Sequence, residues 1–163
     1  MYGPEISIVI PLFNEADVFT ELKSRLLRLT EGVSMNLEFV LVDDGSSDET
    51  PLLMQELAMS NGQFQAVFLS RNYGHQIAIS AGMSRARGTH AVMLMDGDLQ
   101  DPPELLDSFY TKLNEGYDVV YAVRRKRKEG LLKRLSYWSY YRIQKLLTDS
   151  TLPLDSGDFS MMS

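Results

Sequence analysis

The sequence predicts a single α/β domain with a mainly parallel β-sheet flanked by helices. Short apolar or β-branched runs alternate with helical patterns along most of the chain. Strands separated by helices form right-handed crossovers, which produce parallel sheets. The length of 163 residues fits one domain.

The composition excludes several classes of protein. The chain has no Cys, so disulfides, thiolate metal sites and Cys nucleophiles are absent. No apolar run is long enough to span a membrane and no signal-peptide pattern opens the chain, so we expect a soluble chain that faces a cytosol. With 22 Asp and Glu against 16 Lys and Arg, the net charge is −6, which argues against general nucleic-acid binding.

The first half of the pattern contains three strands and two helices. The run over residues 6–10 is β-branched and is stopped by Pro11. A helix over residues 15–30 follows, with apolar side chains three and four positions apart. Ser46 and Glu49 form a capping-box pair, which predicts a helix from Ser46 to about Met59. The strands in this half are residues 6–10, 37–42 and 65–69.

The second half continues the alternation. Residues 75–86 form a helix rich in Ala and Gly, which suits close packing on a sheet. Strands follow over 91–95 and 118–123. Between them, Asp101 and Glu104 bracket Pro102-Pro103 as the cap and first turn of a helix. The last predicted helix covers residues 130–147.

Polar residues follow each predicted strand. In a parallel sheet the ligand crevice lies beyond the carboxyl ends of the strands, so we expect these clusters to converge on one cleft. The clusters are Asn14-Glu15, Asp43-Asp44, Ser70-Arg71-Asn72, Asp96-Gly97-Asp98 and Arg124-Arg125.

The Asp96-Gly97-Asp98 motif indicates a divalent cation. Two hard carboxylate ligands at this spacing suit Mg²⁺ or Mn²⁺, which shares its shell with water and a diphosphate, and we expect Gly97 to let the chain turn sharply. One alternative is a solvated turn. The other, a calcium loop, is excluded because Pro102-Pro103 occupies its middle and the turn glycine is missing.

Two further strand ends suit a nucleotide. Asp43 can accept hydrogen bonds from a base or a ribose, whereas Asp44 with Gly45 can form a tight turn; we assign Asp43 to ligand and Asp48 to structure. Pro11 stiffens the first loop so that its backbone can meet a flat base. The alternative there is a plain connection in which Asn14 caps the helix.

The loop after the third strand offers a cation and a glycine. Arg71 suits a diphosphate, and Gly74 permits close backbone approach. The alternative is a surface Arg beside a turn glycine. His75 and His90 have no partner at metal-ligand spacing, and we interpret both as ordinary.

Positive charge concentrates late in the chain. Residues 124–145 carry nine basic residues and only one acidic residue, and they run into a helix with Trp and Tyr. Such a segment, over 124–147, suits a membrane surface or a lipid-linked phosphate. The alternative is a solvated loop and a core helix. Asp158, near the end of the chain, is a candidate general base or acceptor-orienting carboxylate.

These motifs together resemble family 2 glycosyltransferases with a GT-A fold. Within that family the chain is similar to the polyprenyl-phosphate glycosyltransferases, the group that includes dolichol-phosphate mannose synthase. The motifs that carry the resemblance are 8–11 with Asn14-Glu15, 42–46, 71–74, 95–103 and 157–159.

The resemblance implies a role for each matching residue. Pro11, Glu15 and Asp43 would hold the base and ribose, and Asp96, Asp98 and Gln100 would hold Mg²⁺ or Mn²⁺ with the diphosphate. Arg124, with Lys133 or Arg134, would bind the acceptor phosphate, and Asp158 would be the catalytic carboxylate. The full set of candidate donor-binding residues is Pro11, Asn14, Glu15, Asp43, Asp44, Arg71, Gly74 and Asp96.

The implied activity is inverting transfer of a sugar from a UDP- or GDP-linked donor to a polyprenyl phosphate, undecaprenyl or dolichyl. The chain departs from relatives at Ser160, where Arg is frequent, and it stops before hydrophobic C-terminal segments. We therefore expect a truncated catalytic domain over 1–163 whose full-length protein is anchored at the cytoplasmic face of a membrane. The alternatives are a family 2 enzyme with a saccharide acceptor and a doubly wound regulatory domain.

Overall fold

Six strands and four α-helices form the described part of the chain. A computed structural model describes the backbone of residues 3–123 and 156–163, and the side chains of 3–123 and 159–163. The strands are β1 Ile6–Leu12, β2 Leu37–Asp43, β3 Phe64–Phe68, β4 Ala91–Leu94, β5 Val119–Val123 and β6 Ser156–Met162. The helices are α1 Ala16–Gly32, α2 Thr50–Ser60, α3 His75–Met83 and α4 Leu106–Asn114, the last preceded by a 3₁₀ turn, Pro103–Leu105.

The sheet is mainly parallel, as predicted. Its strand order is β3-β2-β1-β4-β6-β5. Strands β3, β2, β1 and β4 are parallel neighbours, whereas β6 is antiparallel to both β4 and β5. Five strands therefore run in one direction, and their carboxyl ends lie at the same edge of the sheet.

Helices cover both faces of the sheet. Apolar residues of α1, α2 and α4 pack in one core cluster with alternate residues of β1, such as Ile8 and Ile10. On the other face α3 packs against Val9, Val40 and Val42. This packing is close, because a Cβ added at Gly82 would lie 2.3 Å from Val9 Cγ1. The prediction that the small residues of this helix allow close packing on the sheet is confirmed.

Two local predictions were wrong. Strand β1 continues through Pro11 to Leu12. Proline is tolerated there because the pairing with β4 has already ended at Val9, so no β4 partner requires its missing N–H. Helix α2 begins at Thr50 and not at Ser46. The Ser46 hydroxyl instead accepts a hydrogen bond from the backbone N–H of Asn14, at 2.9 Å.

The assignment of Asp48 to structure agrees with its contacts. Its two carboxylate oxygens accept hydrogen bonds from the backbone N–H groups of Thr50 and Ala16, at 3.0 and 3.1 Å. One side chain therefore caps the first turns of α2 and α1 together.

Strand β6 was not predicted. It lies between β4 and β5, with Ser160 opposite both Leu94 and Tyr121. The predicted helix 130–147 falls outside the described residues. Of the helices in residues 3–123, none combines the length and the apolar character that crossing a bilayer requires.

Candidate active site

A cleft of about 300 Å³ opens at the carboxyl edge of the parallel strands. Loops that follow β1, β2, β3 and β4 form its walls, together with the first turns of α3. The residues that line it are Pro11, Leu12, Phe13, Glu15, Asp44, Asn72, Gly74, His75, Ala78, Asp96, Gly97 and Asp98. Four of the five predicted polar strand ends therefore meet at one site, and the fifth, Arg124-Arg125, lies outside the described residues.

Asp96 and Asp98 both face this cleft, and the chain bends at Gly97 between them. Gly97 is not among the glycines with positive φ. A Cβ at this position would lie 2.2 Å from Leu12 Cδ2, so a larger residue here would displace the buried Leu12 side chain. The left-handed residue of the loop is Leu99, with φ of 65°.

Acidic charge accumulates in the cleft. Burial raises the pKa of Glu15 above its ordinary value, and the negative charges of Asp98, Asp48 and Asp96 raise it further. Like charges that raise one another's pKa are a frequent feature of functional sites, because a bound cation relieves the repulsion.

Asp43 and Asp44 are both buried. The Asp43 carboxylate accepts a hydrogen bond from Ser46 N–H at 3.2 Å. Asp44 lines the cleft and accepts from the backbone N–H groups of Tyr73 and Gly74, at 2.8 and 2.9 Å. A ligand contact from Asp43 stays a prediction, whereas Asp44 fixes the loop that leads into α3.

Asn14 and Arg71 are both exposed beside the cleft and absent from its lining residues. Asn14 has φ of 56°, and its side-chain oxygen accepts from Ser47 N–H at 2.8 Å. It thus joins two loops. The alternative in which Asn14 caps the helix is wrong, since Glu15 is the N-cap of α1, and a donor contact from Asn14 stays a prediction. The Arg71 guanidinium stacks on Tyr73, 4.1 Å from the ring centroid. Its diphosphate contact remains a prediction.

The position of His75 at the cleft was not predicted from the sequence. His75 begins α3 and lines the cleft, with Nε2 at 3.5 Å from Asp96 Oδ1. Twenty-one positions separate the two residues in sequence, so no local spacing could have paired them. Gly74, with φ of 94°, supplies the left-handed conformation that directs the chain into this helix.

The predicted catalytic and acceptor residues are described only in part. The backbone of Asp158 belongs to β6, two residues before Ser160. Because β6 runs antiparallel to β4, its first residues lie at the same sheet edge as Asp96. The side chain of Asp158, the residues Arg124, Lys133 and Arg134, and the segment 124–147 lie outside the described part.

The carboxylates of the cleft suit a divalent cation whose remaining ligands come from a bound substrate. Within residues 3–123 and 159–163, no three His, Asp or Glu side chains are grouped as a metal site. Mg²⁺ is commonly bound through one or two carboxylates plus substrate phosphates, and Asp96 and Asp98 supply two. Gln100 lies just beyond them and is exposed, with its N–H donating to Asp98 Oδ1 at 3.0 Å.

The fold and the cleft together define a class of protein. Solved structures similar to this chain include a mannosyltransferase from Pyrobaculum calidifontis in complex with GDP-Man and Mn²⁺, at TM-score 0.61 and 22% identity, covering 76% of this chain and 36% of that one. Another is S. aureus TarS in complex with UDP-GlcNAc, at TM-score 0.60 and 23% identity, covering 78% and 36%. At these identities the likeness concerns the fold, which is the GT-A fold of glycosyltransferases.

The family follows from the sequence comparison. The model of the family described as Glycosyl transferase family 2 matches residues 7–163, and the chain belongs to that family. It is 42% identical to the uncharacterized glycosyltransferase YkcC of Bacillus subtilis, over 97% of this chain and 49% of that protein. It is 37% identical to an undecaprenyl-phosphate 4-deoxy-4-formamido-L-arabinose transferase of Enterobacter sp., over 97% and 47%. The chain thus spans about half the length of the curated relatives it matches.

Proposed function

We propose that this chain is the catalytic domain of a glycosyltransferase that acts at the cytoplasmic face of a membrane. The enzyme moves a sugar from a UDP- or GDP-linked donor to a polyprenyl phosphate of the undecaprenyl type, with inversion and with Mg²⁺ or Mn²⁺. Similarity to transferases named for undecaprenyl phosphate, over nearly all of this chain, supports the acceptor class.

One observation of the structure carries the proposal. Carboxylates from two separate loops, Glu15 on one and Asp96 and Asp98 on the other, face a single cleft at the carboxyl edge of the sheet. A cleft with this charge repels a bare diphosphate and accepts one that is accompanied by a divalent cation. A nucleoside diphosphate sugar is such a ligand.

The described residues would hold the donor in two ways. Pro11 and Phe13 supply apolar wall, against which a base can lie. Asp44 holds the backbone around Gly74 in place, so the start of α3 keeps its position beside Asp96. Asp96 and Asp98, with Gln100, would hold the cation, which when bound would neutralise charge on the departing diphosphate.

The transfer itself needs little proton chemistry. An oxygen of the acceptor phosphate attacks the anomeric carbon while the bond from that carbon to the donor diphosphate breaks, and inversion results. A phosphate monoester is largely ionised at pH 7, so no strong base is required. Asp158 would orient the acceptor, and Arg124 with Lys133 or Arg134 would pair with its phosphate.

Donor binding is tested first by thermal unfolding of this chain with UDP, GDP and their sugars, each with and without Mn²⁺. A ligand at about 100 times its Kd adds about 2.7 kcal/mol to the free energy of unfolding. We expect a rise in Tm with one nucleotide and Mn²⁺ together and a small rise with either alone. Stabilisation by neither nucleotide at any Mn²⁺ concentration would contradict the proposal.

The acceptor is tested with the full-length protein. Transfer is measured from labelled nucleotide sugars to undecaprenyl phosphate, with undecaprenol and a free oligosaccharide as comparison acceptors. Of the three acceptors, we expect only undecaprenyl phosphate to give product. We expect this product to be lost in the Arg124→Ala, Lys133→Ala double variant. Transfer to the oligosaccharide that survives this double substitution would support the saccharide-acceptor alternative instead.

A further inference from the structure

Arg25 of α1 reaches across to the loop that carries the cleft carboxylates. Its side chain is only 19% exposed. The guanidinium donates through Nη1 to the backbone carbonyl of Leu99, at 3.2 Å. It also forms a two-pronged contact with Glu104, at 2.9 Å from Nη2 and 3.4 Å from Nε. Arg25 lines a groove on the α1 side of the molecule and does not line the cleft.

The carbonyl that Arg25 binds belongs to a strained residue. Leu99 has φ of 65°, a conformation that side-chain-bearing residues rarely adopt. Its side chain packs against the main core cluster. Surrounding contacts must hold such a conformation in place, and strained residues of this kind concentrate at functional sites. Leu99 stands directly between Asp98 and Gln100, so its backbone angles set the direction of one relative to the other.

A second contact holds the same loop from inside. Asp101 is buried, and its carboxylate accepts a hydrogen bond from the backbone N–H of Asp96, at 3.2 Å. This contact closes the loop over 96–101 on the core side. The Arg25 guanidinium holds the outer side, and Glu104 fixes that guanidinium, so the loop is held between two charged side chains.

We propose that Arg25 is a positioning residue of the cation site. The planar fork of the guanidinium is fixed by Glu104, so that Nη1 holds the Leu99 carbonyl and thereby keeps Asp98 aimed at the cleft before the cation arrives. Arg25 does not line the cleft, so it would touch neither donor nor cation. The role in cation binding rests on the proposed function, whereas the ordering of the loop does not.

The first test measures binding of UDP or GDP by calorimetry over a series of Mn²⁺ concentrations. In Arg25→Ala we expect the half-saturating Mn²⁺ concentration to rise about tenfold, because outer residues that orient metal ligands have effects of this size. Nucleotide affinity at saturating Mn²⁺ should change less than about twofold. A general loss of structure would weaken both Mn²⁺ binding and nucleotide binding, so it would not produce this difference between them. In Arg25→Lys we expect an intermediate rise of about threefold, since Lys keeps the charge without the fork.

Arg28→Ala is the matched control. Arg28 lies one turn away on the same helix, is 65% exposed and pairs with Glu21 of that helix. It should leave the half-saturating Mn²⁺ concentration unchanged. Should Arg25→Ala fail to fold, Glu104→Ala removes the other end of the anchor from an exposed position and should raise that concentration about threefold.

The second test needs neither metal nor nucleotide. Amide hydrogen exchange at residues 96–100 should be about tenfold faster in Arg25→Ala than in the wild type, and unchanged in Arg28→Ala. If the wild type binds neither nucleotide with Mn²⁺, the proposed function fails, and this measurement alone decides whether Arg25 orders the loop. Unchanged exchange in Arg25→Ala and Glu104→Ala would overturn the proposal.

Discussion

Opposite edges of the same parallel strands carry two very different polar clusters. At the amino edge, Glu38 is buried together with Ser7. The Ser7 hydroxyl donates to Glu38 at 2.7 Å, and the Arg87 side chain and backbone donate to the same carboxylate. The side-chain amide of Gln65 also donates to the Glu38 carboxylate. At the carboxyl edge, Glu15, Asp96 and Asp98 face an open cleft.

The pKa values of Glu38 and Glu15 are shifted in opposite directions. Burial acts to raise the pKa of Glu38, but hydrogen bonds from Ser7, Arg87 and Gln65 outweigh it and hold the pKa below its ordinary value. Burial also raises the pKa of Glu15, and there Asp98, Asp48 and Asp96 add to the rise. A carboxylate whose partners are supplied by the fold stabilises the fold, whereas carboxylates that repel one another are suited to a ligand.

The largest expected effect lies at the carboxyl edge. Asp96→Asn should lower sugar transfer on the order of 1,000-fold, because it removes one of two carboxylates proposed to hold the cation. The free energy of unfolding without ligand should stay within about 0.5 kcal/mol of the wild type. Steady-state transfer and thermal unfolding measure the two quantities.

Asp107→Asn is the control for this substitution, since Asp107 is exposed on α4 and absent from the cleft lining. Its transfer rate should equal that of the wild type. A marked fall in the stability of ligand-free Asp96→Asn would contradict the contrast between the two edges.

The amino edge should show the reverse pattern. Glu38→Ala leaves Ser7, Arg87 and Gln65 without their shared acceptor and should lower the free energy of unfolding by about 3 kcal/mol. Nucleotide affinity of the folded variant should be unchanged. Urea unfolding and calorimetry at a low temperature separate the two effects, with Glu56→Ala, an exposed position on α2, as the control. A loss of affinity without a loss of stability would reverse our assignment of the edges.

Local pattern was sufficient to predict most of the sheet. Strands β1 to β5 consist mostly of apolar or β-branched residues, and helices separate them along the chain. Strand β6 was missed because Gly157, Asp158 and Ser160 interrupt its apolar pattern, and its pairing depends on distant strands. The start of α2 was misplaced for a related reason, since Ser46 bonds to Asn14, 32 positions away.

The sequence predicted which strand ends meet at the site, but it did not predict the contacts that individual side chains make there. The rule for parallel sheets brought Glu15 and Asp96 to one edge correctly. It could not tell the contacts of Asp43 and Asp44 apart, because Asp44 accepts a hydrogen bond from Tyr73 N–H, 29 positions away, whereas Asp43 accepts from Ser46 N–H. It could not reveal Arg25 either, whose contact with Leu99 spans 74 positions.

Acid should weaken the amino edge selectively. The pKa of Glu38 in the folded protein lies below the ordinary value of 4.5, so its stabilising contribution is complete above that value and is lost as the pH falls through the folded-state pKa. The stability difference between wild type and Glu38→Ala should therefore be constant from about pH 7 to 5 and shrink at lower pH. Urea unfolding of both proteins at a series of pH values measures it. A difference that stays constant in acid would show that the lost packing, and not the charge, accounts for the substitution.

The smallest expected effect is a gain of stability at the carboxyl edge. Glu15→Gln removes a carboxylate whose pKa is raised, so the ligand-free protein should become more stable at pH 7, by about 0.5 kcal/mol or less because solvent screens the open cleft. The sign follows from linkage: the folded wild type takes up a proton on Glu15 more readily than the unfolded chain, so the advantage of the variant should shrink as the pH falls toward 4.5.

Mn²⁺ with nucleotide should reverse the order of stability, since a cation turns the repulsion among Glu15, Asp96 and Asp98 into attraction. Thermal unfolding under the two conditions tests this, with Glu56→Gln as the control that responds to neither. If Glu15→Gln destabilises the ligand-free protein, the carboxyl edge resembles the amino edge, and its carboxylates act for the fold rather than for a ligand.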